Sequence, residues 1–397
     1  MKLATSFSVK SDTAEAVQEA FSQLSGQLPA QPNVIIAWCT ADYDFDTLVG
    51  ELNRLAPYTP CYGASSCQSV MTQQGYHNES GHSLALLGLY DPDGAYGVGA
   101  CEMGGQPVQA AQQAVNAAID QADRPGELPA MILVTAAPGS EERLIEGIQE
   151  IVGPQVPIIG GTSADNEIAG AWHQFTHQGH YQDAVVVAVM YPTTEVYFAF
   201  HSGYEPSTLK GKVTAAEGRQ LQAIDGRPAA EVYNEWTEGV LGDSLTEGGD
   251  VLGKTTLHPL GRIAGKIGEI PFFKLSHPES VLPEGALSLF TEIAPGEEIF
   301  LMRGTQQSLI SRAGRVAHSA LQDSDTHDGE LAGALVFYCA GCMLTVGNDM
   351  PQVVESLNEA LDEKPFLGTF TFGEQGCFPG GDNHHGNLMI SVLAFVE

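Results

Sequence analysis

Short apolar runs alternate with amphipathic segments along this chain, and three stretches repeat the same order of both. Each stretch has an apolar run, an amphipathic segment, a second apolar run ending in a glycine-containing turn, and a third apolar run. The repeats span residues 33–90, 130–191 and 332–397. Short runs rich in Val, Ile and Leu that alternate with helices indicate sheets covered on at least one face. The pattern therefore predicts an α/β fold of repeated strand-helix-strand-strand units, with mixed sheets covered by helices.

A strand followed by a helix also stands in front of two repeats. Residues 96–103 are strand-like and precede an alanine-rich helix at 107–122, while 297–304 precede a helix at 307–321. The recurrence of this strand-helix pair supports an internal duplication. The segment "HSGYEPSTLKG" combines Gly, Pro and Ser and is the most linker-like part of the chain. We therefore predict two domains that meet near residue 205.

The charge of the chain limits its partners. The 397 residues carry 49 acidic and 17 basic side chains, a formal net charge of −32. A strongly negative surface repels phosphate backbones and anionic lipid headgroups, so we expect neither nucleic acid nor membrane as a partner. The N-terminus has no uninterrupted apolar core of a signal peptide, and no apolar run is long enough to span a bilayer. We expect a cytoplasmic protein.

The glycine-containing turns after the second strand of each repeat are candidate ligand sites. In the second repeat the turn carries Gly160, Gly161, Thr162 and Ser163, and in the third it ends at Glu374. Glycine lets the backbone approach a ligand, hydroxyls donate hydrogen bonds, and ligands often bind where strands of α/β sheets end. None of the turns has a phosphate-loop or dinucleotide-binding pattern, so ATP or NAD binding is not expected.

The motifs together resemble those of the FIST family, an N-terminal FIST domain followed by a FIST C domain. In the first half the resemblance is carried by "PCYGASS" and "PIIGGTSADN" followed by "DAVVVAVM". In the second half it is carried by "LQAIDGRPAAEVYNEW", "HPLG", "FYCAGC", "LGTFTFGE" and "HHGN". The resemblance implies a FIST N-like domain over 1–205 and a FIST C-like sensing domain over 206–397.

The resemblance implies a bacterial signalling sensor and not an enzyme. FIST domains are proposed to bind small molecules and to signal to histidine kinases, cyclic-di-GMP enzymes or chemotaxis proteins. Some members are described as haem proteins that sense nitric oxide. We recognise no effector domain in this sequence, so the resemblance implies a separate effector protein, a histidine kinase or a cyclic-di-GMP enzyme.

Two cysteines depart from the family pattern. Cys342 stands where the family usually has an arginine, three positions after Cys339, and Cys377 lies in a turn that usually has no cysteine. If adjacent strands carry them, the three thiols meet at one sheet edge, where they predict a labile iron–sulfur cluster that senses a gas or redox signal. The fourth ligand is left open, and the candidates are His384, His385, Glu374 or an external molecule.

Other uses of these cysteines remain open. Zinc would prefer three cysteines and one of the two histidines, whereas haem would need a single axial ligand over an apolar pocket. The thiols could instead be ordinary core residues with no cofactor. A thioredoxin-like redox pair is disfavoured because such motifs open a helix, and here about seven residues separate Cys342 from the expected helix start at Asp349.

An enzyme or a cofactor-free binding module are the alternatives to a cofactor-based sensor. Glu374 is close in sequence to Cys377, and His384 and His385 follow ten residues after the glutamate. A Cys, Glu and His set can carry nucleophilic or acid–base catalysis, but these spacings match no catalytic motif. We therefore expect no enzymatic activity.

Overall fold

The computed structural model describes residues 1–79, 81–322, 329–378 and 380–397. Its helices are α1 (Thr13–Ser25), α2 (Phe45–Leu55), α3 (Pro107–Gln121), α4 (Glu141–Val152), α5 (Ala229–Trp236), α6 (Ser244–Glu247), α7 (Leu252–Thr255), α8 (Gln306–Gln322), α9 (Ala340–Val346) and α10 (Met350–Ala360). In the part of the chain that is described, no helix is both long and apolar enough to cross a membrane.

The first half of the chain contributes the strands β1 (Lys2–Ser8), β2 (Val34–Cys39), β3 (Cys61–Ser65), β4 (Val70–Thr72), β5 (Gly75–His77), β6 (Leu84–Tyr90), β7 (Ala95–Glu102), β8 (Met131–Ala136), β9 (Ile158–Gly161), β10 (Gln174–Thr176), β11 (Gly179–Tyr181), β12 (Ala184–Tyr191) and β13 (Glu195–Ser202). The second half contributes β14 (Glu205–Glu217), β15 (Gln220–Ile224), β16 (Arg227–Pro228), β17 (Gly249–Asp250), β18 (Leu260–Ile267), β19 (Ile270–Ser276), β20 (Pro278–Val281), β21 (Leu287–Leu289), β22 (Glu298–Arg303), β23 (Leu331–Cys339), β24 (Phe366–Thr371), β25 (Glu374–Cys377), β26 (Asn383–Gly386) and β27 (Met389–Val396).

Each repeat forms the centre of its own six-stranded mixed sheet. The first sheet has the order β1-β6-β2-β3-β10-β11, the second β26-β25-β9-β8-β12-β7, and the third β13-β27-β23-β24-β4-β5. In all three, the first two strands of the repeat are parallel, and its last strand is antiparallel to the first. The α/β fold with mixed sheets that the sequence predicted is confirmed.

The short hairpin of each repeat leaves its own sheet and joins the sheet of another repeat. The hairpin β4–β5 of the first repeat pairs with β24 in the third sheet. The hairpin β10–β11 of the second repeat pairs with β3 in the first sheet, and β25–β26 of the third repeat pairs with β9 in the second. The exchange is cyclic, so every sheet needs strands from two repeats.

The core lies between the three sheets, and the helices cover their outer faces. Alternate side chains of the central strands meet in one cluster, which includes Trp38 of the first sheet, Leu133 of the second and Phe337 of the third. The rings of Trp38 and Phe337 meet edge to face, with centroids 6.0 Å apart. Helices α1 and α2 each bury an apolar stripe on the outer face of the first sheet, within residues 13–24 and 45–52.

An inserted β unit, residues 205–303, interrupts the third repeat. Its strands β14 to β22 form a separate nine-stranded sheet between β13 and α8. The strand predicted at 297–304 is β22, but it belongs to this insertion. The strand that corresponds to β1 and β7 is β13, which pairs with β27 in the third sheet. The sequence pattern is ambiguous here because a strand directly before a helix need not share that helix's sheet.

The domain division at residue 205 falls where the chain enters this insertion. Strand β13 precedes that division in sequence but lies in the sheet of the C-terminal repeat. The hairpins β4–β5 and β25–β26 also pair with strands from the other half of the chain. The two halves are therefore interleaved through their sheets.

Candidate functional site

The three glycine-containing turns meet one another. They are residues 65–67, 162–164 and 370–373. Backbone hydrogen bonds join them in a ring: Ala164 N donates to Ser65 O at 2.9 Å, Thr162 N to Gly373 O at 2.8 Å and Cys67 N to Phe370 O at 2.9 Å. The turns of the three repeats therefore lie together. Their backbone amides donate to carbonyl oxygens of the neighbouring turns.

Gly160 and Gly161 lie where strands approach very closely. A Cβ on Gly160 would lie 1.9 Å from the carbonyl oxygen of Val134, and one on Gly161 would lie 2.4 Å from Cγ2 of Thr371. Both residues are buried. The absence of a side chain at these positions is thus used for packing within and between the second and third repeats.

Thr162 and Ser163 are buried and hydrogen-bonded within the protein. Ser163 Oγ donates to Ala136 O at 2.9 Å, and Gln174 Nε2 donates to Ser163 Oγ at 2.7 Å. Thr162 Oγ1 accepts from Gln375 Nε2 at 3.1 Å. A ligand at this turn would have to replace these bonds.

Glu374 is fully buried behind the third turn. Thr371 Oγ1 donates to its Oε1 at 2.7 Å, and the amide of Met389 donates to its Oε2 at 3.0 Å. Burial, followed by the nearby Cys339, raises the pKa of Glu374 well above its usual range. The neutral carboxyl is therefore favoured, held by neighbours on β24 and β27.

Cys339 and Cys342 open a short helix, so the expectation that no helix begins at the cysteines is wrong. The helix expected from Asp349 is present as α10, with Asp349 as its N-cap residue. Cys339 is the N-cap residue of α9, and Cys342 is its third residue. The sequence signal for α9 is weak because the helix is only seven residues long, contains a glycine and has no capping side chain. Burial and the adjacent Cys342 raise the pKa of Cys339 well above its usual value, which disfavours a reactive thiolate.

Cys377 lies in a different sheet from Cys339. It ends β25, which has crossed to the second sheet, and burial raises its pKa to about 11. Among the described residues, the set Glu141, Glu142 and His385 is the group of three potential ligands whose atoms lie within 4.8 Å of one another. The thiols of Cys339, Cys342 and Cys377 are not such a group, so as placed they do not surround a single zinc ion. The iron–sulfur cluster, in which the cysteines bind different iron atoms, stays a prediction.

Arg219 bridges the two glutamates of that group. Its Nη2 lies 2.6 Å from Oε2 of Glu141 and 2.6 Å from Oε2 of Glu142, at the start of α4. Nε2 of His385 is 4.0 Å from Glu141 Oε2, and the amide of Glu292 donates to Glu142 at 2.8 Å. Arg219 and Glu292 belong to the insertion, so this ion-pair bridge attaches the insertion to the second sheet. A metal ion would have to displace the guanidinium.

The bridge should make stability depend on acid pH. Burial opposes ionisation of Glu142, but His385, Arg219 and the Glu292 amide lower its pKa to about 2 from an ordinary 4.5. A lowered carboxyl pKa stabilises the fold above the unfolded value and stops doing so as the pH falls through the folded value. We expect the free energy of unfolding to fall by about 3 kcal/mol between pH 5 and 2 from this group.

Urea unfolding at several pH values measures this loss, with Arg219→Gln as the comparison. The variant lacks the bridge and should lose less stability across the same pH range. Equal pH dependence in the two proteins would show that the bridge does not hold Glu142 ionised.

A cavity of about 530 Å³ lies where the insertion joins the third repeat. We call it the arginine pocket, and its walls include His201, Tyr204, Arg303, Ser308, Arg312 and Arg315. The polar positions on α8 recur at 308, 312, 315 and 319, which places them on one helix face. Another cavity of about 500 Å³ lies beside His384, His385 and Lys274.

Arg312 is the buried charge of the arginine pocket. Its side chain belongs to a residue that is only 5% exposed, its Nη2 donates to Nδ1 of His201 at 2.8 Å, and its Nε is buried with no hydrogen-bond partner. Burial and the neighbouring Arg315 lower the pKa of Arg312 to about 9, so the guanidinium still carries its charge at neutral pH. Such a group can bind an anion.

Tyr204 connects the pocket to the cysteine pair. Its hydroxyl donates to Thr256 O at 2.8 Å and lies 3.6 Å from Cys342 Sγ. A Cβ on the preceding Gly203 would lie 2.8 Å from Nη1 of Arg312. Gly203 thus gives Arg312 its space, a role that no local sequence pattern reveals.

Two sequence models of known domain families match this chain. The sequence model of the FIST N domain matches residues 33–227, and that of the FIST C domain matches residues 229–377. The chain belongs to the FIST family. FIST domains are sensor domains of signal transduction, so the family resemblance seen in the sequence is confirmed.

The two FIST domains share the arginine pocket. Residues 201–205 lie in the FIST N match, whereas 303–319 lie in the FIST C match. The pocket residues are absent from the set that the sequence suggested. The sequence feature that could have indicated the pocket is the pair of arginines on one face of α8, in a chain with few basic residues.

Other similarities to this FIST protein are distant or partial. "Uncharacterized protein MJ1623" of Methanocaldococcus jannaschii is 32% identical over 90 residues, which are 22% of this chain and 18% of that protein. A cyanuric acid hydrolase structure aligns over 99% of both chains at 7% identity with a TM-score of 0.34, and one from A. caulinodans aligns likewise at 10% and 0.34. T. maritima PurL aligns with 99% of this chain and 72% of its own at 10% identity, with a TM-score of 0.23. At these TM-scores the structures support no statement on function.

Proposed function

We propose that this protein is a sensor that binds a small molecule in the arginine pocket and signals to a separate effector, a histidine kinase or a cyclic-di-GMP enzyme. One observation carries the proposal. Both covalent connections between the insertion and the third repeat, residues 202–205 and 303–305, form walls of the pocket. A ligand that contacts both connections can change how the insertion sits on the rest of the protein.

Ligand contacts on both sides of the pocket supply the differential binding energy that such a change needs. On one side are Arg312 and Arg315 of α8, packed on the third sheet. On the other are Glu205 and Arg303, which face each other in the β14–β22 ladder of the insertion. The bridge of Arg219 to α4 is a second attachment of the insertion, so occupancy of the pocket would act against that restraint.

Binding without a cofactor is the form of sensing that the described residues favour. The thiols of Cys339, Cys342 and Cys377 are not grouped closely enough to bind one metal ion, and a pocket lined by arginines does not provide the apolar surroundings of a haem plane. Gas or redox sensing through iron–sulfur or haem stays a prediction. An absorption spectrum with iron, sulfide and zinc analysis of anaerobically purified protein tests it.

Reconstitution with effectors tests the proposal. The purified protein is mixed in turn with each histidine kinase and cyclic-di-GMP enzyme of its source organism, and autophosphorylation or cyclic-di-GMP turnover is measured. Each reaction is repeated with a small-molecule extract of the same cells. We expect one effector to respond to the protein and the response to change with the extract.

Ser319→Trp is the matched variant for this experiment. Ser319 is exposed at the pocket wall, so an indole there should fill the cavity without disturbing the core. The variant should still act on the effector but ignore the extract. If no effector responds, or if the variant responds to the extract as the wild type does, the proposed function is wrong.

A further inference from the structure

We infer that the ligand of the arginine pocket is a small anion whose phosphate or carboxylate oxygens bind Arg312 at the closed end of the cavity. The inference rests on the proposed function because it names the ligand class of the same pocket. It is carried by the distribution of basic residues, by the unsatisfied donor on Arg312, and by the change in exposure from the mouth of the pocket inward.

The basic residues of this chain are few, and most are neutralised by carboxylates. Of the 17 lysines and arginines, these nine are in ion pairs: Lys10, Arg54, Arg124, Arg143, Lys210, Arg219, Arg227, Arg262 and Lys364. Three further arginines instead gather around one cavity, although acidic residues outnumber basic ones almost three to one. Bringing guanidinium groups together is unfavourable without a counter-ion, so this clustering indicates an anionic ligand.

Arg312 is the part of the pocket that most needs a partner. Within the described ranges, no carboxylate lies within 4.0 Å of its nitrogens, and its Nε–H has no acceptor. A buried charge without an opposite charge is costly. An oxyanion can accept from Nε and a terminal nitrogen of the same guanidinium at once, which is the preferred geometry of arginine with carboxylate and phosphate.

The pocket becomes more enclosed from its mouth to Arg312. Arg303 and Arg315 are exposed at the mouth, where Glu205 faces Arg303, whereas Arg312 is buried. The hydroxyl oxygens of Thr305 and Ser308 accept from each other's backbone amides at the start of α8, and Ser308 Oγ donates to Thr305 O. The guanidinium groups are the charged donors of the pocket, and an anionic group that passes the mouth reaches the least solvated of them.

The volume of the cavity and the negative electrostatic field of the protein restrict the ligand to a small molecule. A volume of about 530 Å³ matches the cavities that hold metabolites. The formal charge of −32 repels an extended polyanion, because only a local group of arginines offsets it. A phosphate ester and a dicarboxylate share the required chemistry.

Calorimetric titration at constant ionic strength tests the inference with three probes: inorganic phosphate, glycerol 3-phosphate and succinate. We expect at least one probe to bind, and the phosphate and carboxylate probes distinguish the two sources of the oxyanion. Arg312→Gln should weaken binding about tenfold or more, because it removes the charge but keeps a similar shape. Arg227→Gln is the matched control, since Arg227 is an exposed arginine of the insertion paired with Glu235.

The inference is overturned if no probe binds, or if Arg312→Gln and Arg227→Gln bind the probes equally. If circular dichroism shows that Arg312→Gln is unfolded, the double variant Arg303→Gln/Arg315→Gln at the exposed mouth decides by the same criterion. The effector experiment separates this outcome from the proposed function. Probe binding without any effector response rejects the sensor but keeps the anion site, and an effector response to an uncharged ligand rejects the anion.

Discussion

Deletion of residues 387–397 is expected to leave no soluble folded protein. The deletion removes β27, whose eight residues are all buried and which pairs with β13 on one side and β23 on the other. Its side chains enter two cores: Leu393 and Phe395 lie between the three sheets, and Ile390 and Val392 face the helices α8 and α10. Burial of one large apolar side chain contributes roughly 1.5–3 kcal/mol, so losing several exceeds the roughly 5–15 kcal/mol by which a typical protein is stable.

The measurements are the soluble fraction after expression and the far-ultraviolet circular dichroism of any soluble product. A chain ending at Val396 is the control, because it lacks only the exposed Glu397 and keeps β27. That control should be soluble and should unfold cooperatively. A soluble, cooperatively unfolding product of the longer deletion would show that the third sheet does not need its central strand.

The sequence predicted the central strands well because each is a continuous apolar run. Residues 34–39, 131–136 and 389–396 are buried along their whole length, and such runs are found almost only inside covered sheets. The exchange of hairpins could not be predicted. Strands such as β4 and β10 are three residues long, and their partners lie far away in sequence, so no local pattern specifies the pairing.

The candidate site was predicted less well, for a related reason. The three turns do meet, but their amides and hydroxyls bind one another, and Cys377 follows its hairpin into another sheet. The burial of Arg312 depends on Gly203, which is more than a hundred positions away in the chain. Periodicity shows that Arg312 and Ser308 share a face of α8, but not what covers that face.

Gly160→Ala is expected to destabilise the protein strongly, by at least about 3 kcal/mol, which is at the upper end of the cost of overpacking. Gly160 lies between β8 and β25, where it pairs with Val134 and Gln375. A Cβ there would lie 1.9 Å from the Val134 carbonyl oxygen, and a backbone atom in the middle of a sheet cannot move aside as a flexible side chain can. The free energy of unfolding from urea titration measures the effect.

Gly50→Ala is the matched control for the same substitution. Gly50 lies within α2 with nothing within 4 Å of an added Cβ, so alanine there should leave stability unchanged or raise it by up to about 1 kcal/mol. The comparison also separates the two roles considered for Gly160. If it serves packing, Gly160→Ala lowers stability whether or not a ligand is present. If the variant is as stable as Gly50→Ala but the protein no longer responds to its ligand, the turn of the second repeat is a binding site, and the close contact with Val134 is relieved by local adjustment.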